Sequence, residues 1–281
     1  MYANTSQCDP AADEHSVSHQ RVSASAAVSF KLVNDRTRLD RLYQNGSAKV
    51  RFPNNQSRDI EAVLINTAGG LTGGDQLNWD LRLAENTEVV ATTQACEKAY
   101  LANDGAACLS TQAHLGAGST LHWLPQETIL YEGSALTRTF DVTMQENATL
   151  LAIESTILGR QAMGEAIRNV LFRDRWRIRY GGKLWFADDI KLSGNEISVA
   201  QMKNCRAVSS LLLVCGGDDE ELQRMVRKLR EISPAELTGF SAFNGKIVGR
   251  ILAKDSYELR KVLAPVLRFL RNNELPRVWR I

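Results

Sequence analysis

The densest set of chemically suggestive residues in this 281-residue chain is Asn66-Thr67-Ala68-Gly69-Gly70-Leu71-Thr72-Gly73-Gly74-Asp75. Two Gly-Gly pairs leave four positions without side chains. There the backbone can take positive φ, and an ion, another backbone or a partner can come close. The order is not G-x-G-x-x-G and no Gly-Lys-Ser/Thr follows, so a phosphate cradle is a poor fit. A shaped structural turn after the apolar run 62–65 is favoured over a ligand site. Acids form the second set. Asp75 closes the loop, Glu127 sits in W-L-P-Q-E-T-I, Glu154 ends an apolar run, and Glu165 follows Met163-Gly164. A carboxylate among apolar residues needs an arginine, a proton or a cation. For Glu154 the sequence offers Arg160 as a salt-bridge partner, with a divalent ion as the competing solution. Cys8, His15 and His19 would share a metal only on a helix, and their Ser-rich context argues against one. His114 and His122 lack ligand spacing, and neither H-E-x-x-H nor G-x-S-x-G occurs. Arg173, Arg175, Arg177 and Arg179 alternate with Asp174, Trp176, Ile178 and Tyr180. On a strand the arginines share one face. A solvated face with acids on neighbouring strands is preferred there over a phosphate or acidic-partner site.

Positioning these residues falls to a mainly β chain. Segments 48–52, 62–65, 88–95, 120–124, 136–144, 149–153 and 211–215 read as short strands, and their number and spacing predict a stacked β-helix-like or sandwich body. Residues 1–24 are polar without a sustained period and are expected to form a disordered tail. Residues 25–281 are expected to form a single domain, with 206–281 as a βαββα-like end section. In that section, Asp218 to Glu221 open a helix whose apolar face is Leu222, Met225, Val226 and Leu229. Asn244-Gly245 predicts a hairpin, and a second helix starts near Ser256. Pro265 inside that helix predicts a kink or local break. Apolar content of 44%, charged content of 23% and a net charge of +2 give no electrostatic case for nucleic acid or membrane. No apolar run approaches a membrane span, and the first residues carry acids in place of a signal-like apolar stretch. Five cysteines without a C-x-x-C pair fit reduced thiols in the cytoplasm.

Five motifs in order resemble the urease accessory protein UreD family, called UreH in some systems. They are the Asn66 to Asp75 loop; Thr92-Thr93-Gln94-Ala95 with Lys98 and Tyr100; Trp123 to Ile129; Gly159-Arg160 with Met163-Gly164-Glu165; and Leu275-Pro276-Arg277-Val278-Trp279. The resemblance runs from about residue 26 to the C-terminal motif. It implies a non-enzymatic maturation factor, mostly β with two helices, that binds the urease apoprotein on one side and UreF on the other. UreF in turn recruits the GTPase UreG. Nickel is implied to pass to urease through an internal water-filled tunnel, with no tightly bound cofactor and only transient nickel. The motif residues carried over are Asn66, Gly69, Gly70, Gly73 and Gly74 in the loop, with Thr93, Gln94, Lys98, Gln126, Glu127 and Arg160 as polar positions. A transit path must hold its ion weakly, as isolated carboxylates, carbonyls and water do. Asp75 and Glu154 are the expected contacts, followed by Glu165. Cys96 departs from the small residue expected at its position. Two other readings compete: a purely structural adaptor, and a β-rich hydrolase using Glu127 and Glu154 as an acid/base pair.

Overall fold

A computed structural model describes residues 21–54, 59–160, 163–165, 167–194, 204–234 and 236–280. Cys8, His15 and His19 lie outside the described residues, as does most of the segment expected to be a tail. The first strand begins just inside the boundary drawn for that tail, at Ser23.

Among the described residues, seventeen strands and two α-helices follow one another. The first six strands are β1 (Ser23–Val33), β2 (Arg36–Asn45), β3 (Ala48–Arg51), β4 (Ile60–Asn66), β5 (Gln76–Leu83) and β6 (Glu88–Thr93). Next come β7 (Glu97–Ala99), β8 (Ala107–Leu115), β9 (Thr120–Trp123), β10 (Thr128–Leu130), β11 (Ala135–Met144) and β12 (Thr149–Leu158). The end of the chain carries β13 (Val170–Tyr180), β14 (Lys183–Gly194), β15 (Ala207–Val214), α1 (Asp219–Ile232), β16 (Thr238–Phe243), β17 (Lys246–Ala253) and α2 (Ser256–Arg271). A short 3-10 turn, Arg277–Trp279, comes last.

The strands form a seven-stranded sheet, ordered β14-β13-β11-β8-β5-β1-β2, and a ten-stranded sheet built on β16-β17-β15-β12-β9-β6-β4-β3. From β4 to β13 the chain passes back and forth between them, so each coil lays strands in both sheets in parallel with those of the coil before. This is a solenoid-like stack. The turns between the sheets stack too. Asn86, Gly118 and Asn147 each take positive φ, and Asn86 N donates to the Ala117 carbonyl at 3.0 Å while Gly118 N donates to that of Glu146 at 2.9 Å. In-register pairing makes ladders: Val28, Leu81, Ala113, Val142 and Ile178 lie side by side and buried. Facing them, Trp123 stands between Ala91 and Ala152, and its indole stacks on Phe140 with ring centroids 5.6 Å apart.

The ten-stranded sheet is covered on both faces. On β12, Leu150 and Ala152 belong to the core between the sheets, whereas Leu151 and Ile153 belong to the core under the helices. A strand buried on both faces reads as a continuous apolar run, as 149–153 does. Asp218 caps α1 by accepting from Glu221 N at 2.7 Å, and Asp255 caps α2 by accepting from Glu258 N at 2.8 Å. Of the kink or local break expected at Pro265, the break does not occur. α2 runs through the proline, held by Leu263, Val266 and Leu267, all fully buried against the sheet. The hairpin at Asn244-Gly245 has both residues at positive φ. No helix of the described residues is long and apolar enough to cross a membrane.

Candidate functional site

A cavity of about 430 Å³ lies between the two sheets, walled by Trp79, Leu109 and Thr111 from one and by Leu64, Trp123 and Glu154 from the other. Its polar rim comes from three of the five motif segments: Asn66 and Gly69 of the loop, Gln94 to Lys98, and Gln126 with Thr128.

The glycine loop is shaped by close backbone approach. Leu71 is fully buried; its N–H donates to the Lys98 carbonyl at 2.7 Å and its carbonyl accepts from Tyr100 N at 2.8 Å. At Gly70, φ is +157°, and an added Cβ would collide with the Tyr100 ring and sit 2.7 Å from the Lys98 carbonyl oxygen. Asp75 does not line the cavity. Its two oxygens accept from Val22 N and Thr72 N, each at 2.8 Å, so it folds the loop onto β1. Gly73 and Gly74 likewise face neighbouring segments, Gly73 against the Asp104 backbone and Gly74 beside Arg21.

Asn66 reaches across to β7. Its amide nitrogen donates to both oxygens of Glu97 at 3.2 Å, and its carbonyl oxygen accepts from Ala68 N at 3.1 Å. Burial pushes the Glu97 carboxyl up to about 7, against the Asn66 hydrogen bonds that pull it down. Thr93 Oγ1 accepts from Gln126 N at 2.9 Å and so ties the second motif to the third.

Behind the lining residues Cys96 and Gln126 stand Glu127 and Arg260. Arg260 of α2 grips Glu127 with Nε and Nη2, at 2.7 and 2.8 Å, and also bonds Gln126 Oε1. Cys96 Sγ donates to Glu127 Oε2 at 3.2 Å. Burial, then the Glu127 charge, pushes the Cys96 thiol up to about 11. Burial alone would raise Glu127, yet the Arg260 hydrogen bonds and charge together hold it below its ordinary value. Behind this pair, Trp279 of the C-terminal motif donates to the Leu124 carbonyl at 3.0 Å, and its ring lies 5.3 Å from the Arg260 guanidinium.

Glu154 lines the cavity, but its partner is Arg138 and not the Arg160 expected from the sequence. Arg138 Nη1 lies 2.6 Å from Glu154 Oε2, and Nε and Nη2 fork onto Asp174 at 3.1 and 2.7 Å. Thr128, Thr156 and Trp123 complete the network, the indole N–H donating to Glu154 Oε1 at 2.9 Å. Two carboxylates share one guanidinium in a fully buried place, so burial holds Glu154 above its ordinary value despite Arg138. Arg160 instead pairs with Glu165, at 3.1 Å through Nε, on the outer surface beside Tyr131. Hydrogen bonds from Arg160 lower the Glu165 carboxyl.

Of the three acids expected to meet an ion, therefore, only Glu154 faces the cavity. Glu97 faces it too, and the sequence reading passed over it although it stands between Gln94 and Lys98. The Arg138–Glu154–Asp174 network also went unseen. Its signal was available: Arg138 shares the inward parity of Leu136, Phe140 and Val142, and Asp174 that of Phe172, Trp176 and Ile178. Arg173, Arg175, Arg177 and Arg179 point outward and meet acids on the flanking strands, Asp189 of β14 and Asp141 of β11.

Fold and site together define a solenoid-like β protein with an apolar-walled, polar-rimmed cavity between its sheets and two helices packed on one of the sheets. The chain belongs to the UreD urease accessory protein family, whose model matches residues 22–280. It is 43% identical over 266 residues to the urease accessory protein UreD of Rhizobium johnstonii, covering 93% of this chain and 96% of that one. It is 42% identical over 283 residues to its counterpart in Agrobacterium fabrum, covering 98% and 96%. The urease accessory protein UreD 1 of Brucella anthropi is 42% identical over 272 residues, covering 94% and 96%.

Proposed function

We propose that this chain is a cytoplasmic urease maturation factor that helps deliver Ni²⁺ to the urease apoprotein, in a complex with UreF and, through UreF, UreG. The observation that carries the reading is the cavity, because the motif segments converge on it and line it with amide, hydroxyl and carboxylate groups. Such oxygen donors suit a borderline divalent ion in transit, and their scarcity keeps binding weak. The ion is cargo, and the cavity is one stretch of the proposed internal route. A surface for a protein partner is available next to the loop. Exposed Tyr100 and Leu101 follow β7, Tyr100 packs edge-on against Tyr131, and exposed Met163 follows Arg160 on that tyrosine.

A structural adaptor without a metal path is the second reading. It draws support from Asp75, Glu127, Glu154 and Glu165, each of which is engaged by a backbone N–H or an arginine. The hydrolase reading ranks last, since Glu127 and Glu154 are both clasped by arginines and neither is poised as a free acid or base. The deciding experiment measures urease activity and nickel content of apo-urease coexpressed with UreF and UreG, with and without this chain. A rise in both only when the chain is present supports maturation; no change with all partners expressed defeats it. Charge-removing variants that leave assembly intact but lower nickel loading separate delivery from mere adaptation.

A further inference from the structure

The acids in and around the cavity differ in what already balances their charge. Glu154 shares Arg138 with Asp174, Glu127 is gripped by Arg260, and Glu165 by Arg160. Glu97 is different. It receives the Asn66 amide at 3.2 Å on each oxygen and the Lys98 backbone N–H at 3.3 Å on Oε1. All of these are neutral, long donors. Lys98 lines the same cavity and its charge acts on Glu97 from a distance, but among the described residues no direct ion pair joins a cation to this carboxylate. A partly buried carboxylate with no cation in contact costs free energy. A proton or a cation from outside the chain can meet that cost.

The space in front of Glu97 is suited to a hydrated ion. Six waters at about 30 Å³ each need on the order of 200 Å³, which a cavity of about 430 Å³ holds with room to spare. The surrounding groups suit the water shell. Gln94 and Gln126 line the space, and Gln126 Nε2 has no partner among the described residues. The neighbouring thiol is turned elsewhere, since Cys96 Sγ donates to Glu127. Glu154, the other carboxylate on the cavity, is already held by Arg138, so one free carboxylate and water make a weak contact.

We propose that Glu97 is the residue of this chain that touches the divalent cation in the cavity, and that Asn66 is its positioning residue. The inference rests on the nickel-delivery reading and assigns it a contact that the expected acids do not supply. It also explains why the glycine loop begins with asparagine. The Asn66 amide nitrogen holds both Glu97 oxygens, and its carbonyl oxygen caps Ala68 N within the loop.

The test uses the full chain in the complex in which it purifies, with Ni²⁺ alone as the probe. Thermal midpoints are measured at pH 8 with and without Ni²⁺ for the wild type, Glu97→Gln and Asn66→Ala, alongside the nickel content of urease matured at limiting nickel. Glu97→Gln keeps the shape of the side chain and removes an unbalanced charge. It is expected to raise the midpoint without metal, to abolish the Ni²⁺-induced rise, and to weaken apparent nickel affinity by about tenfold or more. Asn66→Ala is expected to weaken the Ni²⁺ response partially. A merely structural Glu97 would lose midpoint on substitution and leave the Ni²⁺ response intact. A wild-type Ni²⁺ response in Glu97→Gln, or none in the wild type, overturns the assignment. Urease activation that does not depend on the chain defeats the maturation reading instead, and the Ni²⁺-induced shift still decides the fate of Glu97.

Discussion

At the scale of single residues, the centre of this protein is a charge imbalance held in place. Arg138 must serve Glu154 and Asp174 at once, and its removal strands two buried carboxylates. Arg138→Met is therefore expected to cost about 3–5 kcal/mol. Glu154→Gln leaves the Asp174 fork intact and is expected to cost only about 1–2 kcal/mol. Urea denaturation of the two variants checks the order, and a larger loss in Glu154→Gln would contradict it. His122 sets an acid limb. Burial, then the nearby Arg271 charge, lowers its pKa from 6.5 to about 4. Between those values the unfolded chain binds more protons than the folded one, so stability falls as pH drops from 6.5 toward 4. His122→Gln should flatten the decline in thermal midpoint over that window while changing little at pH 7.5. Equal slopes in the two proteins would remove His122 from the account.

At the scale of elements, turns and braces decide the outcome. Gly70→Ala pushes a methyl group into Tyr100 and the Lys98 carbonyl, two groups that cannot both retreat without opening the loop from β7. A loss of about 1–3 kcal/mol is expected. Gly69→Ala meets nothing within 4 Å and bears only the strain of φ +79°, about 1 kcal/mol. Comparing their thermal midpoints tests whether contact or backbone strain dominates. The sequence read the strands of the ten-stranded sheet more easily than the others. Runs such as 149–153 and 211–215 are apolar on both faces because the sheet is covered on both. β1, β5 and β8 went unassigned because outward residues such as Ser25, Asn78 and Gln112 dilute the apolar signal, and β2 and β14 because their apolar residues do not alternate with a buried face, Tyr43 and Trp185 being exposed. β7 and β10 are three residues each and owe their form to neighbours in register. Both helices were visible, since each carries an apolar stripe and an acidic start. At Pro265 the helix continues because packing outweighs local propensity. The cavity was legible only as motif segments. Its walls come from both sheets, and no local pattern reports which strands will face each other.

At the scale of the whole molecule, the two cores cannot separate. β12 and β15 give alternate residues to each, Leu212 and Val214 to one and Leu211 and Leu213 to the other. One cooperative thermal transition is expected. Trp79, Trp123 and Trp176 report the inter-sheet core and Trp279 the helix-covered one, so tryptophan fluorescence and far-ultraviolet circular dichroism should melt together. Two resolved transitions would mean that the helical end unfolds by itself. The brace built from Arg260 and Trp279 has a further effect, set by the order of translation. The wall around Leu124 and Glu127 leaves the ribosome long before the residues that clamp it. A nascent chain can stack its coils as they emerge, yet the Cys96–Glu127 side of the chamber stays unclamped until α2 and the 3-10 turn are out. A nascent chain that has not yet reached Arg260 and Trp279 thus lacks a finished compartment.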